Sequence, residues 1–336
     1  MTATFDTPPE LSPTLGREEY EEALRGLSQA SVDRHFDAFL DIPWDHPDFR
    51  PDPTDERWVL PAKADPLGSH PWYQAQSLER RIEIGMWRQA NIMKVGLQFE
   101  NILIRGIMQY VFTQPNGSAE YRYLTHEATE ECHHTQMFQQ GVNRIGVDVP
   151  GMPRWLRAVA FALPWAASRF PMAFFIGVLA GEEPIDHTQK RVLRGGQELP
   201  PVLRRIMEIH VAEEARHISF AHQYIQRNSP RLGRVERHVV AAVYPLIMRV
   251  LGDAILVPPK EMRERFDIPK SVMDELYWQS PESRDTLREV FADVRMLAEQ
   301  SNLMTPLSRR LWKALKIDGR PSRYRSEPPA ELADAA

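Results

Sequence analysis

Two short segments of the chain carry a Glu and a His three residues apart. One is Glu131-Cys132-His133-His134 and the other is Glu214-Ala215-Arg216-His217, with His210 one turn before Glu214. On a helix, positions three and four apart share a face, so each segment can present a carboxylate and an imidazole to one point. Further Glu residues sit in apolar surroundings on two other segments. Glu100 lies within Leu97-Gln98-Phe99-Glu100-Asn101-Ile102-Leu103, and Glu182 and Glu183 follow Val178-Leu179-Ala180-Gly181. The chain order is therefore Glu, Glu-x-x-His, Glu, Glu-x-x-His. A four-helix bundle built in this order aims four carboxylates and two imidazoles at its interior, the ligand set of a carboxylate-bridged dimetal site. Two divalent cations need anionic oxygens to neutralise and bridge them, and His210 can add a third nitrogen.

A single Glu-x-x-His pair is commonplace on a solvated helix face. Two pairs, with two more Glu residues in apolar stretches, are harder to place on a surface, because a buried unpaired carboxylate costs several kcal/mol. Two choices of register remain open. Glu130 with His133 has the same spacing as Glu131 with His134, but the latter pair shares an apolar face with Leu124, Ala128 and Phe138. Glu182 shares a stripe with Phe175, Val178, Ile185 and Gln189. That stripe is more apolar than the one Glu183 shares with Met172, Ile176, His187 and Lys190. Asp186, one turn after Glu182, is a candidate acceptor for the N–H of a ligand histidine.

The elements that must position these groups are helices. No proline falls between Trp72 and Tyr110, where Ile84, Trp87, Ile92, Val95, Phe99, Leu103 and Ile107 recur at helical spacing. The turn Gln114-Pro115-Asn116-Gly117-Ser118 closes that helix. Further helices are expected over 119–144, 172–193, 201–226 and 235–251, with shorter ones over 270–278, 283–299 and 306–315. Pro184 is expected to kink the third helix or widen it locally. Strand-type alternation is almost absent, Trp58-Val59-Leu60 being the only tempting piece. The expected organisation is a proline-rich N-terminal segment (1–70) packed on a bundle (71–255), a C-terminal helical extension (256–320) and a disordered tail (321–336).

Composition narrows the function. With 43% hydrophobic and 26% charged residues, the 336-residue chain has material for a large core. Its 41 basic and 46 acidic residues offer no footprint for nucleic acid. One cysteine, Cys132, excludes an intramolecular disulfide framework or a Cys-rich metal site and suits a reducing cytoplasm. The N-terminus lacks the pattern of a signal peptide. The apolar stretch from Phe161 to Ala180 is broken by Pro164, Arg169 and Pro171, so no membrane span is expected there. No Gly-x-Gly-x-x-Gly fingerprint for flavin or nicotinamide follows a strand.

The chain resembles the p-aminobenzoate N-oxygenase family of ferritin-like di-iron oxygenases. The resemblance runs from His70-Pro71-Trp72 and Gly85-Met86-Trp87 to the end of the fourth helix. It rests on Glu130-Glu131-Cys132-His133-His134-Thr135 and on His210-Val211-Ala212-Glu213-Glu214-Ala215-Arg216-His217. It implies an all-α, ferritin-like four-helix bundle and seven metal ligands: Glu100, Glu131, His134, Glu182, His210, Glu214 and His217. On the third helix, Glu182-x-x-Ile185-Asp186 resembles the family's Glu-x-x-Ile-Asn, whereas an ungapped count toward His210 favours Glu183. Arg288-Glu289-Val290-Phe291 resembles a segment in which the family places an arginine against a substrate carboxylate. The implied cofactor is a pair of iron ions, though manganese fits the same ligands.

The implied activity is oxygenation of a small organic substrate with dioxygen, most directly at the nitrogen of an arylamine. An external ferredoxin- or flavin-type reductase would supply electrons, and a monomer or homodimer is expected. Hydroxylation or desaturation of a lipid or carrier-bound acyl group, and ferroxidation or iron storage, are alternatives that use the same ligands.

Overall fold

The computed structural model describes residues 16–277 and 279–326. Helix α1 (Arg17–Asp33) opens the described chain, followed by a proline-rich crossing that holds the short α2 (Pro66–Ser69) and α3 (Pro71–Gln74). The bundle helices are α4 (Leu78–Val111), α5 (Ala119–Ile145), α8 (Pro171–Arg194) and α9 (Pro201–Asn228). Between α5 and α8 lie the short α6 (Arg154–Val159) and α7 (Trp165–Arg169). Helix α10 (Arg234–Leu256) returns along α8. The C-terminal helices are α11 (Lys260–Arg265), α12 (Lys270–Leu276), α13 (Pro281–Glu289), α14 (Ala292–Gln300) and α15 (Pro306–Ala314). Among the described residues no strand forms. At the tempting Trp58, Glu56–Trp58 is a single helical turn, and the Leu60 N–H donates to Tyr73 Oη at 3.0 Å.

Local chemistry sets the bundle helices' ends. The Ser77 hydroxyl accepts from Arg80 N at 3.3 Å to start α4, and Ser118 accepts from Tyr121 N at 3.3 Å to start α5. Gly146 ends α5 in the left-handed region at φ +75°, where an L side chain is strained. Pro171 and Pro201 occupy first-turn positions of α8 and α9, where no N–H is needed. Helix α8 continues through Pro184, whose carbonyl accepts from Thr188 Oγ1 at 2.7 Å.

Helices α4 and α5 pack side by side, as do α8 and α9, while α10 covers α8. The interior is aromatic on one side of the centre: Phe175 meets Tyr224 at 4.3 Å and Phe220 at 5.3 Å between ring centroids. Helix α1 does not follow from the expected proline-rich reading of 1–70. No proline falls between Pro13 and Pro43, and Tyr20, Leu24, Ser28 and Ser31 form its buried face against α5 and α9. The short helices α6 and α7 were also not expected. Of the expected tail, residues 327–336 lie outside the described residues, while Ser322 N donates to Ala292 O at 3.1 Å.

One helical stretch among the described residues, Arg234–Arg265, is long and apolar enough to cross a membrane by length and composition. Its most apolar window has mean hydropathy 1.8 and is 39% buried. One side of α10 is covered by α8, and Tyr244 and Met248 on that side are fully buried.

Candidate metal centre

The seven implied ligand residues come from all four bundle helices and are all buried. Two overlapping groups of side-chain atoms converge: Glu100, His134, His210 and Glu214 form one, and Glu131, His134, Glu214 and His217 the other, each with its atoms within 4.8 Å of one another. His134 and Glu214 belong to both, and of the two only the carboxylate, with two oxygens, can bridge two cations. His210 Nε2 lies 3.2 Å from Glu214 Oε1 and 3.4 Å from Glu100 Oε1. His134 Nδ1 lies 3.3 Å from Glu131 Oε2 and 3.6 Å from Glu214 Oε1. His217 Nδ1 lies 2.8 Å from Glu131 Oε1, yet neither atom makes a hydrogen bond. Two lone-pair atoms this close but misaligned for each other are suited to a shared cation.

Glu182 stands slightly apart from these groups. It lines a cavity of about 40 Å³ together with Glu100, His210 and Glu214, and both of its oxygens are buried without a partner. Burial first, and then the charges of Glu214 and Glu127, raise its pKa well above the ordinary value. Glu100 is raised well above the ordinary value too, by burial and then by Glu131. Burial also acts on Glu131, but His217 and His134 beside it overcome that and hold it low. Buried, mutually repelling carboxylate oxygens without a protein partner are what a bound cation would satisfy. Four ligand carboxylates would balance two divalent ions in charge.

The two open registers separate in space. Glu131 and His134 face the centre, whereas His133 lies 3.8 Å from Asp37 near the surface. Glu130 instead reaches across to α9: its Oε2 is 2.8 Å from His217 Nε2 and its Oε1 accepts from Arg216 at 2.8 Å. Burial opposes its ionisation, but the His217 bond and Arg216 outweigh this and lower its pKa to about 2. The mirror contact runs the other way. Glu213 Oε2 on α9 is 2.8 Å from His134 Nε2 on α5. Glu183 is likewise turned from the centre, with its carboxylate 2.6 Å from His222 Nε2.

Asp186 does not accept from a ligand histidine as expected. It pairs with Lys190 at 2.6 Å, and Gln189 Oε1 takes that position, 2.9 Å from His210 Nδ1. The physical reason is the antiparallel α8–α9 hairpin: His210 precedes Glu214 by one turn, so its neighbour on α8 lies beyond Asp186. Each of the three implied ligand histidines thus has an outer partner able to fix its tautomer: Glu213 for His134, Glu130 for His217 and Gln189 for His210. The signal for two of them was the doubled Glu in both motifs. Glu127 was also missed; it is buried one turn before Glu131, and its pKa is raised to about 8, chiefly by burial. Arg288 sits on α13, bonded to Asp318 at 3.2 Å, and lines neither the cavity at the centre nor the larger apolar one behind Phe99.

A four-helix bundle with Glu and Glu-x-x-His pairs aimed inward defines the class of ferritin-like di-metal carboxylate proteins. Within that class the chain belongs to the family described as p-aminobenzoate N-oxygenase AurF, which it matches over residues 17–302. The family is one of di-iron oxygenases, and the buried Glu and His groups here are compatible with that chemistry. The chain is also 60% identical over 318 residues to uncharacterized proteins of Mycobacterium tuberculosis and Mycobacterium bovis, covering 95% of this chain and 93% of each of theirs.

Proposed function

We propose that the protein is a di-iron oxygenase in which Glu100, Glu131, His134, Glu182, His210, Glu214 and His217 hold two iron ions. The observation that carries this reading is His210. Its Nε2 faces Glu100 and Glu214 at 3.4 and 3.2 Å, so a third imidazole joins the usual two in the buried group. Bound iron would supply the activation of dioxygen, with electrons from an external ferredoxin- or flavin-type reductase. The chain's own contribution is positional. Glu213, Glu130 and Gln189 hold the three imidazoles, and Phe99 and Phe138 line the small cavity beside Glu182 and His210.

Membership of the family supports oxygenation at an amine nitrogen. A second reading is favoured by a second cavity. About 380 Å³ of apolar space lies behind Phe99, lined by Ile102, Leu103, Phe174, Val178 and Leu251 among others, with no charged side chain. Such a lining suits an acyl chain and oxidation at carbon, and places no cation inside the cavity for a substrate carboxylate. Anaerobic iron loading, followed by labelled dioxygen and a panel of arylamines and acyl substrates, tests the function by mass spectrometry. The expected result is one labelled oxygen in a product. Oxygen consumption with label only in water or peroxide across the panel would refute it.

A further inference from the structure

The face over the apolar cavity is itself apolar and bordered by arginine. Trp155 and Val159 of α6 and Leu246 and Val250 of α10 line the cavity and are 54%, 43%, 42% and 43% exposed, so they form its mouth. Around that mouth Phe161, Trp165 and Phe170 are exposed at 70%, 69% and 59%. Along α10, Val235 and Val239 continue the exposed stripe one turn apart. A patch of large apolar side chains of this extent marks a docking surface rather than ordinary exterior.

On the α6–α7 part of this face the charges are of one sign, while α10 adds the exposed Glu236 beside Val235. From Val149 to Gly181 the chain has no acidic residue, while Arg154, Arg157 and Arg169 are exposed. Arg105 on α4 joins them, with its guanidinium 3.5 Å from the Ala160 carbonyl. Arg169 packs over Phe170 with its guanidinium 5.0 Å from the ring centroid. Against an overall net charge of −5, this is a local basic rim. Trp and Phe flanked by Arg, on short helices lying across a surface, are what an anionic lipid interface accommodates. The rings enter the acyl boundary while the guanidinium groups meet phosphates.

We propose that α6, α7 and the outer stripe of α10 dock on an anionic bilayer surface, and that the cavity between them admits an acyl chain from that bilayer. The cavity ends at Phe99, which also lines the small cavity beside Glu100, Glu182, His210 and Glu214. Phe99 rests against Gly181, where any side chain would collide with its ring. A chain entering from the membrane therefore stops one side chain short of the metal ligands. Its oxidation there rests on the oxygenase reading; the docking and the chain binding do not.

The test uses the whole protein with vesicles. Co-sedimentation with mixed phosphatidylglycerol and phosphatidylcholine vesicles is expected at low salt, with at least tenfold weaker binding to pure phosphatidylcholine. A double change, Phe161→Asp with Trp165→Asp, is expected to weaken binding at least tenfold at unchanged helical content and iron uptake. Failure of the parent to bind, equal binding by parent and variant, or a dimer that the same double change dissociates would overturn the docking. The dimer would instead identify a second copy of this chain as the occupant. Gly177 lines the cavity, and a Cβ at that position would meet only Leu251, at 3.9 Å, so Gly177→Leu directs its side chain into that space. Labelled oleate retained by the isolated protein is expected to fall at least tenfold in that variant, whatever its metal content. Undiminished retention would remove the acyl chain from the cavity.

Discussion

Glu213 on α9 lies 2.8 Å from Nε2 of His134 on α5. The contact is returned by Glu130 on α5, 2.8 Å from Nε2 of His217 on α9. In Glu130-Glu131 and Glu213-Glu214 the second residue faces the centre and the first is rotated onto the neighbouring helix. A carboxylate behind an imidazole fixes its tautomer and raises its basicity toward a cation. Glu213 also accepts from the Phe36 backbone N–H at 3.1 Å, which ties the segment after α1 to the same point.

Glu213→Ala is expected to weaken binding of one metal by about 10–100-fold and to leave Phe36 N–H without its partner. Glu213→Gln keeps an acceptor and is expected to lose less. Iron-binding isotherms of the two variants check this; equal affinities in parent and Glu213→Ala would remove the positioning role.

Glu131→Ala is expected to remove a ligand and reduce the metal bound at saturation. Glu130→Ala is expected to keep full capacity at a higher metal concentration, since it removes the support of His217 and the Arg216 ion pair but no ligand. Metal analysis after dialysis against graded iron separates capacity from affinity. The reverse outcome would rotate the functional face of α5 by one residue.

The two Glu-x-x-His segments, the four bundle helices and the crowding of His210 with them were legible because each depends on spacing within one helix. What crosses between helices was not. The apolar face of Leu124, Ala128 and Phe138 pointed to Glu131, but the partners Glu130 finds in His217 and Arg216 depend on the packing of α5 on α9. Asp186 and Gln189 both lie on the face of Glu182, and the level of His210 on the opposing helix chooses Gln189. Helix α1 was hidden by the prolines around it, although Tyr20 and Leu24 have helical spacing. The apolar cavity was invisible because Ile102, Val178 and Leu251 read as ordinary core.

His210→Ala is expected to fold and to keep much of its metal through the other six ligands, while oxygen insertion is lost or redirected. Spectra of the oxygenated protein at equal iron loading check this. Identical spectra and turnover would make His210 a structural histidine held by Gln189.

Glu127 is expected to contribute a loss of stability to the metal-free protein as pH rises. Glu127 has its folded pKa raised from 4.5 to about 8, chiefly by burial. The folded state therefore holds this proton more tightly than the unfolded chain. Its contribution is complete below pH 4.5 and falls away until pH about 8. Glu127→Gln is expected to flatten that slope in thermal unfolding of the metal-free protein. A slope equal to the parent's would contradict the assignment.

The number of iron ions bound per chain tests the dimetal centre most directly. Glu100, Glu131, Glu182 and Glu214 together carry the charge of two divalent ions, and the converging atoms form two overlapping groups rather than one. Anaerobic titration of the full chain with Fe(II), followed by removal of loose metal, is expected to saturate at about two per chain. Saturation at one, with no change on further addition, would contradict the account.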